Sequence, residues 1–176
     1  MLGKISVFLI GPMGAGKTAV GRYLARELKL PFHDTDAEIE RRTGVDIPFI
    51  FEKEGEGGFR EREREAIQAL TALDGIVLAT GGGAVLLAEN RRRLAERGCV
   101  VYLKTSIPQQ ADRVRRTRNR PLLASGDTAT RLEALMDVRA PLYAEIADIV
   151  VSTDGRRVNS VAQQVLRELE TARRAG

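Results

Sequence analysis

The stretch Gly11-Pro12-Met13-Gly14-Ala15-Gly16-Lys17-Thr18 carries the clearest chemistry in this chain and fits G-x-x-x-x-G-K-[ST] at every fixed position. Glycines at this spacing let successive backbone N–H groups converge on a phosphate. Lys17 can reach the β- and γ-phosphates of a nucleotide, and the Thr18 hydroxyl can ligate Mg2+. The context agrees with the pattern. The apolar run Ile5-Ser6-Val7-Phe8-Leu9-Ile10 before it reads as a buried strand, and the residues after it read as a helix with Val20, Leu24 and Leu28 on one face. A looser dinucleotide fingerprint overlaps the same residues, Gly14-Ala15-Gly16-Lys17-Thr18-Ala19, with Asp34 and Asp36 about where a ribose-binding carboxylate would fall. Gly11 weighs for the phosphate loop because it completes the cradle. So does the Lys-Thr pair, which a dinucleotide turn does not require.

Three further constellations could do chemistry. Asp34-Thr35-Asp36 follows a second short strand, Leu30 to Asp34, and ligands gather at strand carboxyl ends in open α/β sheets. One carboxylate can hold Mg2+ through water while the other orients a hydroxyl. Equally, Asp36 can be the N-cap of a helix. Gly81-Gly82-Gly83 closes a third strand, and three glycines cost enough entropy to need a steric reason: a ligand against the main chain, or a sharp turn. An arginine-dense segment from Arg113 to Arg120, ending at Pro121, suits a cationic lid over phosphates. Arg60 and Arg139 have no motif-level signal of their own. Arg91-Arg92-Arg93 and the alternating charges of Glu61 to Glu65 read as solvated helix faces, and His33, the only histidine, as a packed or exposed side chain.

The elements that must position these residues alternate strand and helix, which predicts an α/β fold with a parallel sheet. Strands are expected at 5–10, 30–34, 75–80, 99–103 and 146–151, each buried and continuous rather than alternating. Helices are expected after the glycine loop and at 60–73, 89–97, 107–116, 128–145 and 158–173. Residues 36–63, charged and glycine-spotted, read as an inserted substrate-binding segment, and 113–127 as the lid, within a single domain over 1–176. The chain has 28 basic and 24 acidic side chains, a net charge of +4, 5% aromatic residues and no tryptophan. That composition favours small phosphorylated ligands over polynucleotides. One cysteine, Cys99, excludes an internal disulfide, and no apolar stretch is long enough for a membrane span, so a cytoplasmic protein without nucleic-acid or membrane partners is expected.

The phosphate loop, Asp34-Thr35-Asp36, Gly57-Gly58-Phe59-Arg60, Thr80-Gly81-Gly82-Gly83, Arg120-Pro121-Leu122-Leu123 and Arg139-Ala140-Pro141-Leu142-Tyr143 occur in an order and spacing that together closely resemble shikimate kinases, from about residue 5 to 170. The resemblance implies a three-layer P-loop kinase fold related to nucleoside monophosphate kinases, with a five-stranded parallel sheet in the order 2-3-1-4-5 and helices on both faces. It implies transfer of the γ-phosphoryl of ATP to the 3-hydroxyl of shikimate, in the biosynthesis of chorismate and aromatic amino acids, with Mg2+ as cofactor; a monomer is expected.

The same resemblance implies roles for single residues. Gly14, Ala15, Gly16, Lys17, Thr18 and Ala19 hold the ATP phosphates, Thr18 ligates Mg2+, and Asp34 assists through water. Asp36 bonds the reacting hydroxyl, Arg60 and Arg139 clamp the shikimate carboxylate, Gly82 and Gly83 offer backbone contacts to the ring hydroxyls, and Glu63 supports the acceptor site. Arg120 comes from the lid onto the phosphates, so that Asp36, Lys17 and Arg120 form the catalytic set, while Arg113 and Arg156 fall on the adenine side. Ala19 departs from the family pattern, where a threonine is common, and removes one phosphate-side hydroxyl. Two rivals share parts of these signals. A gluconate kinase would also need carboxylate and hydroxyl recognition, and an RNA-binding protein could use the loop as an ATP sensor. The Asp-Thr-Asp, Phe-Arg and triple-glycine set favours shikimate over the first, and only the arginine-rich lid supports the second.

Overall fold

Short apolar runs separated by amphipathic stretches give five strands and, among the described residues, seven α-helices in a computed structural model that describes residues 5–116 and 127–176. The strands β1 (Val7–Ile10), β2 (Phe32–Asp34), β3 (Val77–Ala79), β4 (Cys99–Lys104) and β5 (Ile149–Ser152) are all parallel and stand in the order β2-β3-β1-β4-β5. Val7 of the central strand pairs with Val77 on one side and Cys99 on the other. Because the sheet is parallel, the carboxyl ends of β1, β2 and β3 open on one edge, and the glycine loop, Asp34 and Thr80 all emerge there.

Alternation along the strands divides the core into two layers. Val7 and Leu9 of β1 and Val101 and Leu103 of β4 pack with Val20 and Leu24 of α1 (Lys17–Leu28) and Val161 and Val165 of α7 (Val158–Ala175). Phe8, Ile10, Val100 and Tyr102 point the other way. They meet Leu70 of α3 (Ile47–Thr71), Leu94 of α4 (Ala88–Arg97) and Tyr143 of α6 (Thr128–Ile146). The central strands β1 and β3 are fully buried, as expected, but the edges are not. β5 alternates, with Ile149 and Val151 buried and Val150 51% exposed, and β2 is half-buried throughout. An edge strand has one face uncovered by helices, so only every second residue needs to be apolar.

The glycine-spotted segment differs most from its expectation. It is helical: α2 (Thr35–Thr43) and the front half of α3. Gly44 ends α2 in the left-handed region at φ 74°, Asp46 caps α3 by accepting from the Phe49 N–H, and Gly55 breaks α3 at φ 72° and ψ −176°. Ile39, Ile47, Ile50, Phe59 and Ala66 form their own small apolar cluster under the break. Gly44 and Gly55 thus mark the breaks between helical stretches that pack on each other, while Gly57 and Gly58 lie within α3. The remaining helix, α5 (Ile107–Arg115), leads towards the arginine-dense segment, and residues 117–126, including Arg118 and Arg120, lie outside the described residues. No helix among the described residues is long and apolar enough to cross a membrane.

Candidate active site

A cleft of about 310 Å³ runs along the carboxyl edge of the sheet, lined by the glycine loop, Asp34, Asp36, Thr80, Gly81, Gly82 and Arg113. At one end lies the anion cradle. Gly16, in the left-handed region at φ 86°, precedes α1 and supplies no side-chain cap, so the first-turn amides of α1 face the loop without a side-chain acceptor. Lys17 Nζ donates to Gly11 O at 2.6 Å and Pro12 O at 2.9 Å, which holds the ammonium over the loop. Arg113 of α5 lies on the same loop, its Nη1 donating to Gly14 O at 2.8 Å.

Asp34, the last residue of β2, joins this end to the next. Its Oδ1 accepts from the Asp36 and Ala37 N–H groups at 2.9 and 3.1 Å, and its Oδ2 accepts from the Thr18 hydroxyl at 3.0 Å. The helix cap and the partner of Thr18 are therefore one residue. The reading of Asp36 as the N-cap is corrected: Asp36 lies inside the first turn of α2, and its side chain lines the cleft. Thr18 Oγ1 and Asp34 Oδ2 are hard oxygen donors close enough to share one cation or one of its waters, which fits Mg2+. No group of three or more His, Cys, Asp or Glu with metal-site geometry occurs among the described residues.

The other end of the cleft is built around the triple glycine, and it answers the steric question those residues pose. None of the three has positive φ. What comes close is charge. A methyl group at Gly81 would lie 2.8 Å from Glu63 Oε2 and 3.4 Å from Asp36 Oδ1; one at Gly82, 3.4 Å from Arg139 Nη1; one at Gly83, 2.4 Å from Arg60 Nη2. The glycines let four charged side chains from α2, α3 and α6 rest on one stretch of main chain. Thr35 Oγ1 accepts from the Gly81 N–H at 3.0 Å and ties α2 to the same turn.

Glu63 is fully buried and pairs with Arg60 Nη1 at 2.9 Å. Burial pushes its carboxyl above the usual range, Asp36 adds to that, and Arg60 and Arg139 pull against it. Arg139 is 4% exposed, and burial weakens its hold on its proton while the Tyr143 and Glu63 oxygens support the charge. Glu63 Oε2 and Arg60 Nε are buried with no hydrogen-bond partner among the described residues. Buried polar atoms are seldom left so unless a water or ligand completes them.

The expected site residues therefore fall into groups. Gly14, Gly16, Lys17, Thr18, Ala19, Asp34, Asp36, Gly82 and Arg113 line the cleft, and Ala15 is buried within the loop. Arg60, Glu63, Gly83 and Arg139 gather at its far end. Arg156 is not brought there: its guanidinium is held by Ser152 O, Ser160 and Gln164 at the start of α7. Arg120 lies outside the described residues. Sequence reasoning gave no role to Tyr143, whose hydroxyl donates to Gly82 O. Its signal was the placement of a phenol in an apolar helix face, where a buried hydroxyl must find a partner.

A strand, a glycine cradle and a helix N-terminus at the edge of a 2-3-1-4-5 parallel sheet, facing a pocket of paired arginines and carboxylates, define a P-loop kinase that phosphorylates a small anionic acceptor. Comparison with known proteins narrows the class. A model of the shikimate kinase family matches residues 13–170. A shikimate kinase from Pseudomonas syringae pv. tomato is 56% identical over 164 residues, covering 93% of this chain and 95% of its own. One from Methylococcus capsulatus is 54% identical over 170 residues, covering 97% and 95%. Among solved structures, a shikimate kinase from Acinetobacter baumannii in complex with shikimate superposes with a TM-score of 0.94 at 47% identity, covering 96% of this chain and 94% of that one. A gluconokinase from Sinorhizobium meliloti shares only the fold, with a TM-score of 0.60 at 15% identity. The chain belongs to the shikimate kinase family.

Proposed function

We propose that this chain transfers the γ-phosphoryl group of ATP to the 3-hydroxyl of shikimate, forming shikimate 3-phosphate and ADP on the route to chorismate and the aromatic amino acids. The observation that carries the reading is the gathering of Arg60, Arg139, Glu63 and Asp36 on one glycine turn, in the same cleft as a complete phosphate loop. Shikimate has one carboxylate and three hydroxyls on a rigid ring. Two guanidiniums suit the carboxylate, because planar forks match it in bidentate geometry. The carboxylates suit the hydroxyls, and Glu63 Oε2 and Arg60 Nε would gain the partners they lack.

Phosphoryl transfer asks mainly for alignment and charge stabilisation. On this reading the loop amides and Lys17 bind the β- and γ-phosphates. Asp36, on the first turn of α2, holds the 3-hydroxyl towards them and takes its proton as the bond to phosphorus forms. Thr18 and Asp34 would hold Mg2+, which when bound neutralises charge on the β- and γ-oxygens. The carboxylate grip of Arg60 and Arg139 fixes which hydroxyl faces the nucleotide, so binding energy far from the reacting atoms sets their alignment. Glu63 keeps Arg60 in place. Residues 36–63 serve as the acceptor-binding segment, and 113–127, with Arg113 and Arg120, as a lid that excludes water as a competing acceptor. The chain works as a cytoplasmic monomer with no nucleic-acid or membrane partner.

The test is ADP release by purified protein with Mg2+ and ATP, with shikimate, gluconate or no acceptor added. Shikimate-dependent turnover with formation of shikimate 3-phosphate is expected. Gluconate-dependent turnover, or ATP hydrolysis indifferent to shikimate, would overturn the assignment.

A further inference from the structure

We propose that Thr35 is a positioning residue for phosphoryl transfer. Its side-chain hydroxyl stands in for a strand carbonyl, and this rung locks the first turn of α2, which carries Asp36, to the glycine turn on which the shikimate grip rests. The inference rests on reading that end of the cleft as the shikimate site.

The parallel ladder shows why such a rung is needed. Val77 N–H donates to Pro31 O at 2.9 Å, and β2 and β3 stay in register as far as Asp34 and Ala79. Donors that face one neighbouring strand recur at every second residue. After Val77 the ladder therefore calls on Ala79 and then on Gly81, whose partner would be the Thr35 carbonyl. That carbonyl is turned away, because Thr35 is the first residue of α2 and helical carbonyls point along the helix axis. The Gly81 N–H instead donates to Thr35 Oγ1 at 3.0 Å. Thr35 is fully buried, so loss of that oxygen would leave the amide with an uncompensated desolvation cost. On the other side of β3 the strand end is closed by Thr80, whose N–H and hydroxyl both donate to Leu9 O, at 3.1 and 2.9 Å.

The rung fixes Asp36 relative to the residues that grip the acceptor. Asp36 Oδ1 lies 3.4 Å and Glu63 Oε2 2.8 Å from where a Gly81 side chain would begin, and Arg139 Nη1 lies 3.4 Å from the same point on Gly82. Asp36 follows Thr35 directly, so a shift of Thr35 against Gly81 is a shift of the base against the grip. Different atoms pin the two sides of this helix start. Asp34 Oδ2 accepts from the Thr18 hydroxyl of the phosphate loop at 3.0 Å, while Thr35 Oγ1 takes the glycine turn. Removing the second pin leaves the first in place, so the change falls on acceptor alignment and not on the nucleotide.

Thr35→Val keeps the volume and the β-branch and removes the acceptor. Misplacing the base by a fraction of 1 Å predicts a fall in kcat of about 10–10²-fold at saturating shikimate, with KM for ATP within about twofold of wild type. Thr35→Ser keeps the oxygen and should recover kcat to within about threefold. A purely structural rung would lower Tm and leave kcat alone. An unchanged kcat in Thr35→Val, an equal loss in the Ser and Val variants, or a rise in KM for ATP as large as the loss in kcat would overturn the proposal. Should Thr35→Val fail to fold, Thr35→Ser against Thr35→Ala gives the same contrast at nearly equal side-chain size. Hydrogen exchange on the wild-type chain reads the bond itself: the Gly81 amide should be protected without ligand, and exchange at the rate of an exposed amide would refute the rung. If wild type shows no shikimate-dependent turnover, the site reading itself has failed; if wild type turns over and Thr35→Val matches it, only the rung has.

Discussion

Gly83→Ala is the substitution that tests the packing of this site most directly. The added methyl would lie 2.4, 2.5 and 2.6 Å from Arg60 Nη2, Nη1 and Cζ, whereas ordinary contact begins at 3.4 Å. The guanidinium must withdraw by about 1 Å, which is the difference 3.4 − 2.4. Arginine tips usually move cheaply. This one is 12% exposed and anchored to Glu63 at 2.9 Å, so a 1 Å withdrawal carries the pair beyond hydrogen-bond range unless the fully buried Glu63 follows. Losing a hydrogen bond to a charged group costs about 1.5–3 kcal/mol. In a chain of this size that lowers Tm by about 3–12 °C. Function should suffer more selectively, since a displacement of about 1 Å in a positioning group can cost up to about 10²-fold. The expected result is a large rise in KM for shikimate with KM for ATP little changed. Gly57→Ala supplies the control: Gly57 lies in α3 with nothing within 4 Å of an added methyl, so it should be neutral or more stable by about 0.5–1 kcal/mol. Thermal denaturation and the coupled ADP assay on both variants decide the matter. If Gly83→Ala matches Gly57→Ala in Tm and keeps a wild-type KM for shikimate, Arg60 does not rest on this glycine and the reasoning fails.

Asp36→Asn should leave ATP affinity within about twofold while lowering kcat by about 10²–10⁴-fold, the usual worth of a positioned base; near-normal turnover would remove Asp36 from the reaction. Glu38 on α2 accepts from Arg41 Nη2 at 2.7 Å and Arg42 Nε at 2.8 Å, and the Arg41 hydrogen bond is the main reason its carboxyl is held at about 2 rather than 4.5. A depressed folded-state pKa stabilises above the unfolded value and is lost as pH falls through the folded one, so the advantage of wild type over Glu38→Gln should fade between pH 4.5 and about 2. Arg41 is 70% exposed, which limits that advantage to about 0.2–1 kcal/mol at pH 7; denaturant melts at several pH values would show it, and an advantage that grows on acidification would contradict the pairing.

The local parts of this protein were legible in its sequence because their physics is local. Gly11 to Thr18 builds its cradle from contiguous residues, and the apolar runs of β1, β3 and β4 had nowhere to go but the middle of a sheet. The edge strands misled because an uncovered face relaxes the demand for apolar residues, and the helices within residues 36–63 were not foreseen because Gly44 and Gly55 interrupt their pattern. The resemblance carried by several short motifs in order supplied the acceptor, and the relatives bear it out. Tertiary structure decided what no stretch of residues could. It made Asp34 rather than Asp36 the helix cap, and it showed that the triple glycine is small to admit Glu63, Arg139 and Arg60. It also set the Tyr143 hydroxyl as a donor to Gly82 O. These residues come from separate elements, and only the packing of α2, α3 and α6 over one strand end brings their charges within reach of each other.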